Sequence, residues 1–133
     1  MKAAPFLIGL LVAVAPTIGG ARPTEALSYR CDDVVVIGRL QNLSYTHEEI
    51  KDDKIGHGWM MAHLTVRKVV RGTPGKSVLR VRYFGHTYMR QDRDFMFVLR
   101  PAEEGFTIAN ARLMSGRPRL FPQCSARLAG SEN

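Results

Sequence analysis

The residues of this chain whose types could do metal chemistry are its four histidines and the methionines among them. His57 and His63 flank Trp59 and Met61. On an extended strand, residues 57, 59, 61 and 63 project to one side. Imidazole and thioether ligands suit copper in an exported protein. His57, His63 and Met61 are therefore a candidate metal set, and His47, His86 and Met89 lie in flanking connections from which they could approach. The plainer alternative is a half-exposed sheet face, since His-x5-His matches no established metal-ligand spacing. On that alternative Trp59, Met61, His63 and Arg67 form an outward contact surface for a partner. Exposed Trp and Arg are residue types that anchor interfaces.

Catalytic constellations are not found. There is no G-x-S-x-G and no H-E-x-x-H, and no glycine loop of the phosphate-cradling kind. Acidic pairs occur at Asp32-Asp33, Glu48-Glu49, Asp52-Asp53 and Glu103-Glu104. Adjacent residues point to opposite sides of a strand, so these pairs read as solvated loops, not as catalytic dyads. The expectation is a non-enzymatic binding protein with no cofactor. Asn42-Leu43-Ser44 matches a glycosylation sequon, which matters only in a glycosylating pathway.

The elements that must position these residues are strands. Residues 34–40 (VVVIGRL) are β-branched and short, with Gly38 as a bend or bulge. Residues 44–56 are polar and read as a long loop or a distorted hairpin tip. Residues 59–70 alternate: Met60, Ala62, Leu64 and Val66 on one face, Trp59, Met61, His63, Thr65 and Arg67 on the other. The phase slips at residues 68–70, where a bulge belongs. Gly72 to Gly75 is a turn. Residues 77–84 alternate again, Leu79, Val81 and Tyr83 against Arg80 and Arg82. Residues 85–93 form a polar connection with room for a helical turn or two. Residues 95–99 (FMFVL) suit a strand buried on both faces, stopped by Pro101. Residues 106–111 make a fifth strand, and the rest is irregular up to Cys124. Five strands in about 100 residues predict an all-β fold, a small five-stranded Greek-key barrel of the OB type. A sandwich needs about seven strands.

The first residues assign a compartment. Lys2, the apolar run at residues 5–15, the breakers Pro16, Gly19 and Gly20, and then Ala21 and Ala26 have the layout of a secretory signal peptide. The apolar run is much shorter than the roughly 20 residues of a membrane span, so no stable membrane anchor is expected after cleavage. The division is 1–26 leader, 27–124 barrel domain and 125–133 tail. On the order of 105–110 residues remain after cleavage, one domain's worth. The net charge of the 133-residue chain is +7, compatible with an acidic partner or an anionic envelope surface. Its cations are dispersed, which is the usual pattern of a solvated surface. Arg80, Arg82, Tyr83 and Tyr88 could serve single-stranded nucleic acid, but export argues against it.

In an oxidising compartment Cys31 and Cys124, the only two cysteines, read as one disulfide near the ends of the domain. A loop of about 90 residues is worth roughly 4.5 kcal/mol in the chain-entropy account, as an upper figure. Two independent thiols are the alternative, without a C-x-x-C to support it.

A cysteine running into an apolar strand that ends in Gly-Arg (residues 31–39), a strand ending in basic residues and a glycine turn (residues 64–72), then FMFVL and a late cysteine resemble the netrin-like domains. These include the relatives of tissue inhibitors of metalloproteinases. The resemblance covers most of residues 31–124 and implies an OB barrel in a secreted, protein-binding domain. In the inhibitors the first cysteine is the mature N-terminus and chelates the protease zinc, a role that would fall on Cys31. This chain departs from that pattern, because neither cleavage position exposes Cys31 and there is no Cys-x-Cys. The resemblance thus implies the fold and a binding role, with a protein or envelope component as partner in a secreted or periplasmic setting.

Overall fold

A computed structural model describes residues 25–123. The expected leader up to residue 24, Cys124 and the expected tail at 125–133 lie outside them. Seven strands follow in order: β1 (Ala26–Tyr29), β2 (Val34–Glu48), β3 (His57–Arg71), β4 (Val78–Gly85), β5 (Phe95–Ala102), β6 (Gly105–Leu113) and β7 (Arg119–Pro122), with one 3-10 turn at Met114–Gly116. Five of them close a barrel in the order β2-β3-β4-β6-β5, with β5 returning to β2. All barrel neighbours are antiparallel except β4 and β6, which pair in parallel only at Val81–Phe106 and Arg82–Thr107. This is the OB-like Greek-key barrel expected from the strand count.

The alternation read from sequence sorts the faces. Met60, Ala62 and Leu64 of β3 and Leu79, Val81 and Tyr83 of β4 point inward to meet Val36, Leu40, Phe97 and Leu99. Where β2 bends to serve two partners, Gly38 pairs with Val66 of β3 and with Phe95 of β5. A Cβ at Gly38 would overlap the Thr65 carbonyl oxygen and Leu64 Cδ1, so only glycine admits this approach. Just beyond it the register shifts, leaving Arg67 and then Val70 without a partner on β2. The bulge at Val70 falls in residues 68–70, where one is expected, and that at Arg67 is a second, just before that stretch.

Several elements differ from expectation. β2 runs on through residues 44–48, polar because both of its faces there meet solvent. The connection at 86–94 holds no helix; it is tied down by side chains instead. Tyr83 Oη donates to Asn42 Oδ1 at 2.6 Å and accepts the Met89 N–H at 3.0 Å, and Asn42 Nδ2 donates to the Met89 carbonyl at 2.9 Å. Pro101 does not stop β5: it pairs with Phe106 beyond Leu99, the last β5 residue that pairs with β2, at the edge position where a missing N–H is harmless. Asp33 is not solvated. Its side chain is fully buried, takes both Arg100 Nε and Nη2 at 3.1 and 3.3 Å, and accepts the Arg30 N–H.

The remaining two strands, β1 and β7, were not anticipated. They pair in parallel outside the barrel, Ala26 with Arg119 through Tyr29 with Pro122. They cover the outer side of β2 and β5, where Leu27, Val35, Met96 and Val98 form a second apolar cluster. That layer is why the FMFVL strand is buried on both faces. Glu25 also belongs to this fold, its carbonyl accepting the Arg119 N–H at 2.9 Å. A leader cut after Ala26 would therefore trim the start of β1, and a cut after Ala21 would leave it whole.

Leu27 is the key of the outer cluster, with 0% exposure. Leu27→Ala is expected to lower the unfolding free energy by about 2–5 kcal/mol, measured by urea unfolding of the protein. A loss too small to detect would show that the β1–β7 layer is not part of the cooperative core.

Candidate functional site

Barrel geometry decides which of the chemically interesting residues meet. Gly58, Met60, Ala62 and Leu64 are buried, so His57, Trp59, Met61 and His63 share the outer face of β3. The register then sets Phe84 beside Trp59, Arg82 beside Met61 and Arg80 beside His63. The result is a ladder of rings and cations across β3 and β4. His57 stacks on Phe84 (centroids 5.8 Å apart, planes 16°), Phe84 packs against Trp59 at 5.3 Å, and the Arg82 guanidinium lies 4.9 Å over the Trp59 ring. A cation over an indole face is held by the ring quadrupole, and Arg82 is further fixed by donating from Nε to Thr107 Oγ1 at 3.1 Å. Trp59 is half-buried by these neighbours, whereas Phe84 is 42% exposed.

Met61 and His63 open onto two adjoining grooves between β4 and the β5–β6 turn. One, of about 350 Å³, is lined by Met61, Arg80, Arg82 and Glu103–Glu104. The other, of about 510 Å³, takes in His63, Lys76 and Phe106. Arg80 and Glu104 face each other across them at 3.7 Å, both well exposed, a pair that contributes little to stability.

Arg67 does not join this face. It stands eight residues from Trp59, about 26 Å along a strand, at the bulge, where its Nε lies 3.1 Å from Asp94 Oδ1 in an ion pair, the oxygen to which Arg39 Nε donates at 2.9 Å. Its place beside Trp59 is taken by Arg82. The candidate metal set fares similarly. His57 and His63 are six residues apart on a regular stretch of strand, roughly 20 Å, so they cannot share one ion. Among the described residues no group of three His, Cys, Asp or Glu side chains is placed to hold a metal.

His57 is instead held by the hairpin tip at residues 49–56. Asp53 Oδ1 accepts the N–H groups of Ile55 and Gly56 at 3.1 and 3.0 Å, and Oδ2 lies 2.7 Å from His57 Nδ1. A carboxylate only accepts, so Nδ1 carries the proton and donates it. Gly56, at φ 80°, gives the chain the left-handed turn this needs. The His57 bond, aided by the two backbone donors, holds the Asp53 carboxyl down at about 2, from an ordinary 3.8. An Asp–His pair is also part of a nucleophilic triad, but among the described residues no hydroxyl or thiol hydrogen-bonds to His57. The chain matches no family model, no curated protein and no solved structure.

Because the Asp53 carboxyl is depressed in the fold, the tip gains from its ionisation above the ordinary carboxylate range. That gain is lost as pH falls from about 4 to about 2. A carboxyl-carbon NMR titration is expected to give a midpoint near 2 for Asp53 and a clearly higher one in His57→Ala. A wild-type midpoint at the ordinary value, or one unmoved by the substitution, contradicts the clasp.

Proposed function

We propose that this chain is an exported, non-enzymatic binding module that engages a protein or cell-envelope component through the outer face of β3 and β4. The observation that carries this reading is the ordered ladder His57–Phe84–Trp59–Arg82 on the uncovered side of the barrel. The β1–β7 layer covers the β2 and β5 side of the barrel, and among the described residues Phe84 of the ladder stays 42% exposed. Aromatic and arginine side chains already fixed by one another lose little freedom on binding, which favours their use as anchors. Strands β3 and β4, with the hairpin tip and the β5–β6 turn, are also the parts of an OB barrel that take ligands. The leader pattern and the netrin-like resemblance support export and a binding role.

The inhibitor mechanism that the resemblance implies is not part of the proposal. It needs Cys31 as the first residue, with its carbonyl oxygen free to meet zinc. Leu27, four residues earlier, is fully buried, and the Cys31 carbonyl accepts Arg71 Nη2 at 3.1 Å.

A Cys31–Cys124 clasp belongs to the same reading. Parallel pairing of β1 with β7 joins residues 93 apart, Ala26 with Arg119 and Tyr29 with Pro122, and Cys124 follows Cys31 by the same 93. The Gln123 N–H also donates to the Tyr29 carbonyl at 2.8 Å.

Two outcomes test these proposals. Capture of a specific component from envelope extract by the tagged mature chain is expected to fall at least tenfold in Arg82→Ala and Phe84→Ala, with circular dichroism unchanged. Undiminished capture removes the face from the account. Alkylation of the unfolded, unreduced protein is expected to label no thiol, and labelling of both cysteines contradicts the clasp and the oxidising compartment together.

A further inference from the structure

At the hairpin end of the β3–β4 face the His57 ring meets a second imidazole. His86, in the connection after β4, lies with its ring centre 5.5 Å from that of His57 and its plane at 79°. The four histidines are thus not equivalent. His47 shares its Nδ1 with Tyr45 Oη at 3.3 Å, His63 stands roughly 20 Å along the strand, and only His57 and His86 adjoin.

We propose that His57 and His86 form a surface site for one divalent transition-metal ion of the imidazole-binding kind, copper or zinc, with Asp53 as the carboxylate that orients His57. Three observations carry this. The Asp53 side chain is only 10% exposed and grips His57 Nδ1 at 2.7 Å, which leaves Nε2 as the ring nitrogen with a lone pair to offer a metal. A metal-bound histidine characteristically donates its other ring N–H to a carboxylate in this way. Stacking on Phe84 fixes the ring, while 31% of the side chain stays open to solvent. Nitrogens bind such ions at about 2.0–2.1 Å, so two imidazoles sharing one ion have centres roughly 4.5–6 Å apart, and this pair is within that span. His86 is exposed, so rotation about its Cβ–Cγ bond, which leaves the ring centre nearly in place, can turn a nitrogen edge toward the shared ion. Water completes the shell. The site uses one member of the set His57, His63 and Met61, and replaces the other two.

Calorimetric titration of the mature protein with copper(II), and separately zinc(II), tests it. One saturable ion per chain is expected, with affinity at least tenfold weaker in His86→Ala and His57→Ala and unchanged in His47→Ala and His63→Ala. Asp53→Asn is expected to retain binding but weaken it about 10–100-fold. His86→Ala is decisive, since it alters an exposed side chain and leaves the tip intact. Its copper EPR spectrum should lose one of two imidazole nitrogen couplings. Unchanged affinity in His86→Ala, loss in His47→Ala or His63→Ala, or no saturation at millimolar metal overturns the assignment.

Discussion

The structure depends on one close approach, the contact of Gly38 with the Thr65 carbonyl. The run β2-β3-β4-β6-β5 closes only if its two ends meet, and β2 meets β5 over Val34 to Gly38 while Val35 to Gly38 still pair with β3 on the other edge. Any side chain at residue 38 would hold β3 away. The bulges at Arg67 and Val70 take up the extra length of β3 around the same bend. Past the bend β2 leaves β5 and continues with β3 alone, carrying the hairpin tip outward. The aromatic ladder, the Asp53–His57 clasp and the His57–His86 contact all stand on that extension.

Closure also gives the barrel two unlike outer sides. On the β5 side, Met96 and Val98 face outward and are apolar, so they need a cover, which Leu27 and Leu120 provide. Burial of side chains of this size contributes about 1.5–3 kcal/mol each, enough to hold two four-residue strands that could not persist alone. On the β3–β4 side the outward residues mix the rings of His57, Trp59 and Phe84 with Met61, His63, Arg80 and Arg82, and Phe84 and Val78 stay well exposed. The contrast between a dressed face and a bare one is what the proposed contact role of β3 and β4 rests on.

Much of the barrel was legible because its strands alternate cleanly. Met60 to Leu64 and Leu79 to Tyr83 declare inside and outside by parity alone, and FMFVL announces a strand with no wet face. β1 and β7 were not legible: they are four residues long, RLFP contains a proline, and their pairing joins opposite ends of the domain. Asp33 looked solvated because its partner, Arg100, is 67 residues away. The site divides in the same manner. Parity placed Trp59, Met61 and His63 together on an outer face. Cross-strand register, which parity cannot supply, set Arg82 and Phe84 beside them. Arg67, on the same parity, lies too far along the strand to reach Trp59 and pairs with Asp94 at the bulge.

The central claim is that partners meet the bare face and not the dressed one. A photo-crosslinking amino acid placed at Phe84 on β4, or at Phe121 on β7, tests this in exporting cells, since both side chains are about half exposed (42% and 50%). Covalent adducts to a cell-envelope component from position 84, and none from position 121, are the predicted result. Adducts from position 121 alone would contradict it.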